Sequence, residues 1–119
     1  MPHTVLVVED DEILRSLMDE AISLLNVDVI SCASADEALS ILENEPMISL
    51  VVTDISMPGS MDGLELSKVI WSLRPALPVI VTSGNGSVSI EIFPANAVFL
   101  RKPWSIDTLH QAIKSFLRV

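Results

Sequence analysis

Basic residues are scarce in this chain. Seven Lys and Arg stand against sixteen Asp and Glu, giving a formal net charge of −9. Nucleic-acid binding needs clustered Lys and Arg to neutralise phosphates, and here the few cations are scattered or lie near the C-terminus. The composition therefore argues against a nucleic-acid partner and for a soluble chain repelled by anionic surfaces. A single cysteine, Cys32, excludes an internal disulfide, which suits a reducing cytosol. It reads as core filler. No apolar run approaches the roughly 18 residues of a membrane span. Met1-Pro2-His3 leads straight into an apolar run without the basic and apolar regions of a signal peptide. The expected location is cytoplasmic, with no membrane contact. With 119 residues, half of them apolar, one domain over 1–119 with a sizeable core is expected.

What is present is alternation. Thr4-Val5-Leu6-Val7-Val8 is an apolar, β-branched run with no polar face, as a strand buried on both sides reads. Ile13, Leu14, Leu17, Met18, Ala21, Ile22 and Leu25 follow at helical spacing. Val27 to Cys32 is strand-like again. Ser34-Ala35-Asp36-Glu37 has the form of a capping box, and the helix it opens stops near Pro46. Ile48 to Thr53 is a third strand ending at Asp54. Met57-Pro58-Gly59-Ser60 is a loop, and Asp62-Gly63 starts a helix closed before Pro75. Val79 to Thr82 and Ala97 to Leu100 are the fourth and fifth strands, and Ser105 is a good N-cap for a last helix.

Strand–helix alternation with short connections predicts an α/β fold, a parallel sheet covered on both faces. For five strands the order expected is the flavodoxin-like 2-1-3-4-5, taken over from known doubly wound sheets. Ligands of such sheets bind outside the carboxyl ends of the strands, near the topological switch point. Strands one and three flank that point, so chemistry is expected just after Val8 and Thr53.

Both places hold acids: Glu9-Asp10-Asp11 follows strand one and Asp54 ends strand three. Neighbouring strands lie about 4.8 Å apart, which brings Asp54 close to Asp10. Two carboxylate charges at ~5 Å repel by roughly 3 kcal/mol at an effective dielectric near 20. A cation or a proton relieves that, and an oxygen-only donor set favours Mg²⁺ over zinc. Taken alone, the tripeptide also reads as a solvated helix start and Asp54 as a turn residue or cap. The pair on adjacent strand ends is more specific than either. Strand four ends in the hydroxyls Thr82 and Ser83, and strand five leads into Arg101-Lys102-Pro103, where proline restricts the backbone that aims the lysine. A hydroxyl and an ammonium at this edge are placed to meet an anion formed on Asp54.

Five segments in order carry a family resemblance: Val7-Val8-Glu9-Asp10, Asp54-Ile55-Ser56-Met57-Pro58, Met61-Asp62-Gly63, Ser83-Gly84 and Lys102-Pro103. Together they resemble the receiver domain of bacterial two-component response regulators, over essentially the whole chain. The resemblance implies that Asp54 is the phospho-acceptor and that Asp10 binds Mg²⁺ directly. Glu9 helps through water, and the Ser56 backbone carbonyl supplies a further oxygen. It implies that Lys102 pairs with the phosphoryl group and that Ser83 bonds a phosphoryl oxygen. Ser83 is chosen over Thr82 because it lies five residues after Pro78, the family's usual spacing. Phe99, three before the lysine, falls at the aromatic switch position, while Asp11 is left solvated at the helix start. The donor is expected to be a histidine kinase or a histidine phosphotransfer protein, and the output an unidentified protein. The chain is expected to be a monomer or weak dimer, catalysing only its own phosphorylation and dephosphorylation.

Rival readings fare worse. A haloacid-dehalogenase-like phosphohydrolase needs a second Asp two residues after the nucleophile, and Ser56 stands there. A flavodoxin-type cofactor site would be repelled by Glu9-Asp10-Asp11. Gly84-Asn85-Gly86 follows strand four and has Ser89 where a dinucleotide fingerprint has glycine. An interaction module without phosphorylation is disfavoured because every part of the acid site is retained. A module excised from a longer regulator or hybrid kinase is the alternative to a stand-alone receiver. One departure stands out. Ser87 to Phe93 alternates polar and apolar residues and precedes Pro94, so the helix between strands four and five is expected to be short or degraded. Gly84 to Asn96 is accordingly expected to be the segment that responds to phosphorylation. Trp71 reads as helix packing and Trp104 as a possible surface anchor.

Overall fold

The computed structural model describes residues 3–55, 61–84 and 94–118. Five strands, β1 (Thr4–Val8), β2 (Asp28–Cys32), β3 (Ile48–Asp54), β4 (Val79–Ser83) and β5 (Ala97–Arg101), form one parallel sheet in the order β2-β1-β3-β4-β5. The described helices are α1 (Glu12–Ser23), α2 (Ala35–Asn44), α3 (Gly63–Leu73) and α4 (Ile106–Phe116). The α/β class and the 2-1-3-4-5 order are as expected. The loop after Ile55 through Ser60, and the Ser87–Phe93 stretch expected to hold a degraded helix, lie outside the described residues.

The two-sided burial expected of the central strands has a simple origin. Val5, Val7, Leu50, Val52, Ile80 and Leu100 meet Met18, Ala21 and Ile22 of α1 and Leu109, Ala112 and Ile113 of α4 on one face. Leu6, Val8, Val51, Val79 and Val81 meet Ala35 and Ala38 of α2 and Leu66 and Ile70 of α3 on the other. Period-two alternation thus feeds both layers, and the polar side chains of β1, β3 and β4 are confined to the ends of the strands.

Two details differ from the sequence reading. The apolar stripe of α1 is wider than its buried face: Ile13 and Leu17 are 76% and 57% exposed. They sit on the flank of a helix whose sheet-facing side is filled by Met18, Ala21 and Ile22, so helical spacing alone overstates the core. The second concerns capping. Ser34 accepts from the Glu37 amide at 3.2 Å, but the full reciprocal box is at α3, where Asp62 accepts from the Glu65 amide at 2.8 Å and Glu65 from the Asp62 amide at 3.3 Å. That box fixes the N-terminus of α3 against the end of β3, since the Gly63 amide donates to the Ile55 carbonyl at 2.8 Å.

Candidate functional site

Where β1 and β3 end side by side, three carboxylates converge. An oxygen of each of Glu9, Asp10 and Asp54 lies within 4.8 Å of the others. The Val8–Thr53 register pair brings the two strand ends together. Asp54 is 6% and Glu9 1% exposed, whereas Asp10 is exposed. Lys102, one residue past β5, reaches back across the edge: its Nζ donates to Asp54 Oδ2 at 3.0 Å and lies 3.5 Å from Glu9 Oε1. The Lys102 amide donates to the Ser83 carbonyl at 2.8 Å, which ties the lysine's backbone to the end of β4. The sequence-predicted set Glu9, Asp10, Asp54 and Lys102 is thereby brought together. Asp11 stays outside it, exposed, capping α1 by accepting from the Ile13 and Leu14 amides at 3.0 Å each.

The electrostatics are those of an anionic pocket. Three carboxylates at this spacing repel pairwise by roughly 3 kcal/mol at an effective dielectric near 20, and Lys102 balances one of them. Burial pushes the Glu9 carboxyl above its ordinary range, and the Asp54 charge adds to that against the pull of Lys102 and the Asp11 amide. Burial alone would lower the Lys102 ammonium, but its bond to Asp54 and the attraction of both acids outweigh it and raise it. Glu9 Oε2 accepts from the Asp11 amide at 3.0 Å, while Glu9 Oε1, 3.5 Å from the Lys102 ammonium, is buried with no hydrogen-bond partner among the described residues. A buried carboxylate oxygen without a hydrogen bond among the described residues, clustered with two further carboxylates and with no nitrogen or sulfur ligand among the three, fits a hard oxygen-seeking cation of the Mg²⁺ type.

This yields a pH prediction with a definite sign. A carboxyl whose folded-state pKa is raised holds a proton that the unfolded chain releases. Metal-free stability should therefore fall as pH rises from the ordinary carboxylate range through the raised Glu9 value. Glu9→Gln removes that slope, so in chelator the variant should melt a few degrees above the parent at pH 7 and converge with it near pH 4. Thermal melts across that range check it, and a parallel pair of curves would contradict it.

The two hydroxyls at the end of β4 face opposite ways. Thr82 follows Ile80 on the α1–α4 face and pairs in register with Asp54. Ser83 follows Val81 on the α2–α3 face, the face to which Phe99 also contributes. Both hydroxyl residues are buried, and Thr82 Oγ1 has no hydrogen-bond partner among the described residues. Ser83 and Phe99 thus share a sheet face, as coupled switch residues would. The spacing argument weighed Thr82 only as a competitor for the Ser83 place and missed that it sits directly opposite Asp54. Ser56 lies outside the described residues. The sequence reading also missed Arg15. Its Nη1 donates to the Glu9 carbonyl at 2.9 Å, a contact that its place in the first turns of α1 signals, because long helical side chains lean toward the N-terminus.

A doubly wound sheet of this order with acids and a lysine on its carboxyl edge has the arrangement of a receiver domain. Residues 5–114 match the family described as response regulator receiver domain, and the chain belongs to that family. Among curated relatives it is 37% identical over 114 residues to the C4-dicarboxylate transport transcriptional regulatory protein DctD of Rhizobium meliloti, covering 93% of this chain and 24% of that protein. It is 36% identical over 112 residues to the response regulator protein FleR of Pseudomonas aeruginosa, covering 92% and 23%. The chain thus spans about a quarter of the length of these relatives. Among solved structures, a CheY-like response regulator receiver domain protein from Methanospirillum hungatei superposes with a TM-score of 0.86 at 29% identity, covering 97% of this chain and 93% of that one. The protein is accordingly a receiver module of two-component signalling. No described helix is long and apolar enough to cross a membrane.

Proposed function

We propose that the chain accepts a phosphoryl group on Asp54 in a Mg²⁺-dependent reaction and so switches a partner. The observation that carries this is the Lys102 ammonium 3.0 Å from a buried Asp54 carboxylate that shares its pocket with Glu9 and Asp10. Asp10 and Asp54 would hold the metal with Glu9 assisting, and the Ser56 carbonyl would add an oxygen. Bound Mg²⁺ supplies neutralisation of the transferring oxygens, the main source of phosphoryl-transfer catalysis.

The chain's own residues do the rest. An Asp54 oxygen attacks the phosphorus of a donor phosphohistidine as the P–N bond breaks, giving an acyl phosphate and releasing the imidazole. Lys102, already paired with Asp54, follows the charge onto the phosphoryl oxygens. Ser83 bonds one of those oxygens, and Phe99, on the same sheet face and paired in register with Val81 two residues before Ser83, moves into the space released. A local change of charge thereby biases a two-state element. The chain acts on itself alone, in the cytoplasm, between a histidine kinase or histidine phosphotransfer protein and a downstream protein. A phosphohydrolase reading is disfavoured by Ser56, which stands where a general-acid carboxylate is required.

An apolar groove opening beside the site supports a place for the protein donor. Leu14, Leu17 and Leu24 of the α1 side and Pro103, Trp104 and Ile106 line a cavity of about 680 Å³, with Lys102 also in its lining. Leu17, Leu24 and Ile106 are each more than half exposed. Because its lining includes Lys102, this is the surface we assign to the donor, whose apolar side would rest there while its phosphohistidine reaches Asp54. Leu17→Asp should slow transfer from the cognate kinase about tenfold or more, the loss of one interface anchor, and leave phosphorylation by acetyl phosphate unchanged. Equal loss with both donors would refute the docking role.

The central test is direct. Incubation with acetyl phosphate should add one phosphate by intact mass, labile to hydroxylamine, with Mg²⁺ and not in chelator. No mass gain from either acetyl phosphate or a kinase would overturn the reading.

A further inference from the structure

We infer that Arg15 is a positioning residue for the acid pocket: through the Glu9 carbonyl it sets the direction in which Asp10 is presented to the metal. The inference rests on the phospho-acceptor reading above and goes beyond it, since Arg15 touches none of the reacting atoms.

β1 ends at Val8, and the chain must turn within three residues into α1. Glu9 is the pivot, held at several points. Its amide donates to the Cys32 carbonyl at 3.1 Å, continuing the sheet by one bond. Its side chain accepts from the Asp11 amide at 3.0 Å. Its carbonyl accepts from Arg15 Nη1 at 2.9 Å. That last bond matters most for Asp10, because the Glu9 carbonyl belongs to the peptide plane from which the Asp10 Cα departs. Asp10 is exposed, in contrast to its buried neighbour Glu9. The backbone direction leaving Glu9 is therefore what brings its carboxylate within 4.8 Å of those of Glu9 and Asp54. Arg15 itself is rigidly placed: its amide makes the first helical bond, to the Asp11 carbonyl at 2.8 Å, and its half-buried side chain leans back over that turn.

Charge and position predict opposite signs. A guanidinium near a cation site repels the cation, so if Arg15 acted by its charge its removal would tighten Mg²⁺ binding. If it acts by holding the Glu9–Asp10 peptide, its removal loosens binding. Outer partners that orient metal ligands typically contribute about 10–100-fold in affinity.

The experiment is calorimetric Mg²⁺ titration of the parent, Arg15→Met and Arg15→Lys, without phosphodonor. Met keeps the apolar stem and loses donor and charge; Lys keeps both. The expected result is about tenfold weaker binding in Arg15→Met and most of the affinity recovered in Arg15→Lys. Unchanged or tighter binding in Arg15→Met, or no recovery in Arg15→Lys, overturns the inference. A melt in chelator establishes that the Met variant is folded at the titration temperature. If it is not, Arg15→Gln, whose amide stops two bonds short of Nη1, carries the same expectation. Absence of Mg²⁺ binding by the parent would overturn the site reading and this inference together, whereas a binding parent with indifferent variants overturns this inference alone.

Discussion

Asp54→Asn is expected to abolish phosphate uptake from acetyl phosphate, lowering the rate by at least about 10³-fold, as loss of a covalent nucleophile does. The amide oxygen carries no formal charge and does not form a stable acyl phosphate. The replacement also changes the pocket around it. Lys102 loses the charged acceptor it now meets at 3.0 Å and retains Glu9 at 3.5 Å, so the lysine is drawn toward β1. One of the three clustered carboxylates disappears, so Mg²⁺ should bind more weakly, while the metal-free form should gain stability from the relieved repulsion. Intact mass after acetyl phosphate treatment reads the first effect, and metal titration with melts in chelator reads the others. An Asn variant that takes up the same hydroxylamine-labile phosphate would place the acceptor on another carboxylate. Glu9 and Asp10 are the nearest, and each tests by the same substitution.

The acids were legible in the sequence because topology does the work. Once strands one and three are known to be central and parallel, whatever follows Val8 and Thr53 must meet at the carboxyl edge. Lys102 was legible for a related reason, as the residue just beyond the last strand on the same edge. The packing of Val5 and Val7 against one helix pair and Leu6 and Val8 against the other also follows from alternation alone. What escaped was geometry that depends on side-chain direction. Helical spacing counts Ile13 and Leu17 in the apolar stripe of α1, although the sheet covers a narrower arc of the helix and leaves both exposed. Spacing from Pro78 selected Ser83, while the fact that Thr82 shares the Asp54 face emerges only with the register. The burial of Glu9 to 1% exposure was hidden for a similar reason. An acid at a helix start reads as solvated until the amide of Asp11 and the ammonium of Lys102 are seen to face it. The relation of Arg15 to the Glu9 carbonyl required knowing that the chain folds back over its own turn.

Gly63→Ala is expected to be the most damaging small substitution in the described fold. Gly63 begins α3 directly against the end of β3, its amide bonded to the Ile55 carbonyl at 2.8 Å. A Cβ at this position would fall inside the Asp54 carbonyl oxygen, 2.6 Å from the Asp54 carbonyl carbon and 2.9 Å from the Ile55 Cα. All three are main-chain atoms, so no rotamer change relieves the clash. Either α3 backs away, breaking the Gly63–Ile55 bond and straining the Asp62–Glu65 box, or the end of β3 moves and takes Asp54 with it. Over-packing typically costs about 1–3 kcal/mol and occasionally more, and an obstacle made of backbone belongs at the upper end, about 3 kcal/mol. In a domain of this size that lowers the melting temperature by roughly 10 °C. Because Asp54 bears the clash, phosphorylation should slow even at temperatures where the variant is folded. Gly84→Ala is the matched control. A Cβ there meets nothing within 4 Å among the described residues, so its melting temperature should stay within about 2 °C of the parent. Thermal melts of both variants, with acetyl phosphate rates at a temperature where each is folded, decide the matter. A Gly63→Ala variant that melts and phosphorylates like the parent would mean that α3 is not seated on the Asp54 backbone, and the close approach would have to be abandoned as the reason for glycine at this position.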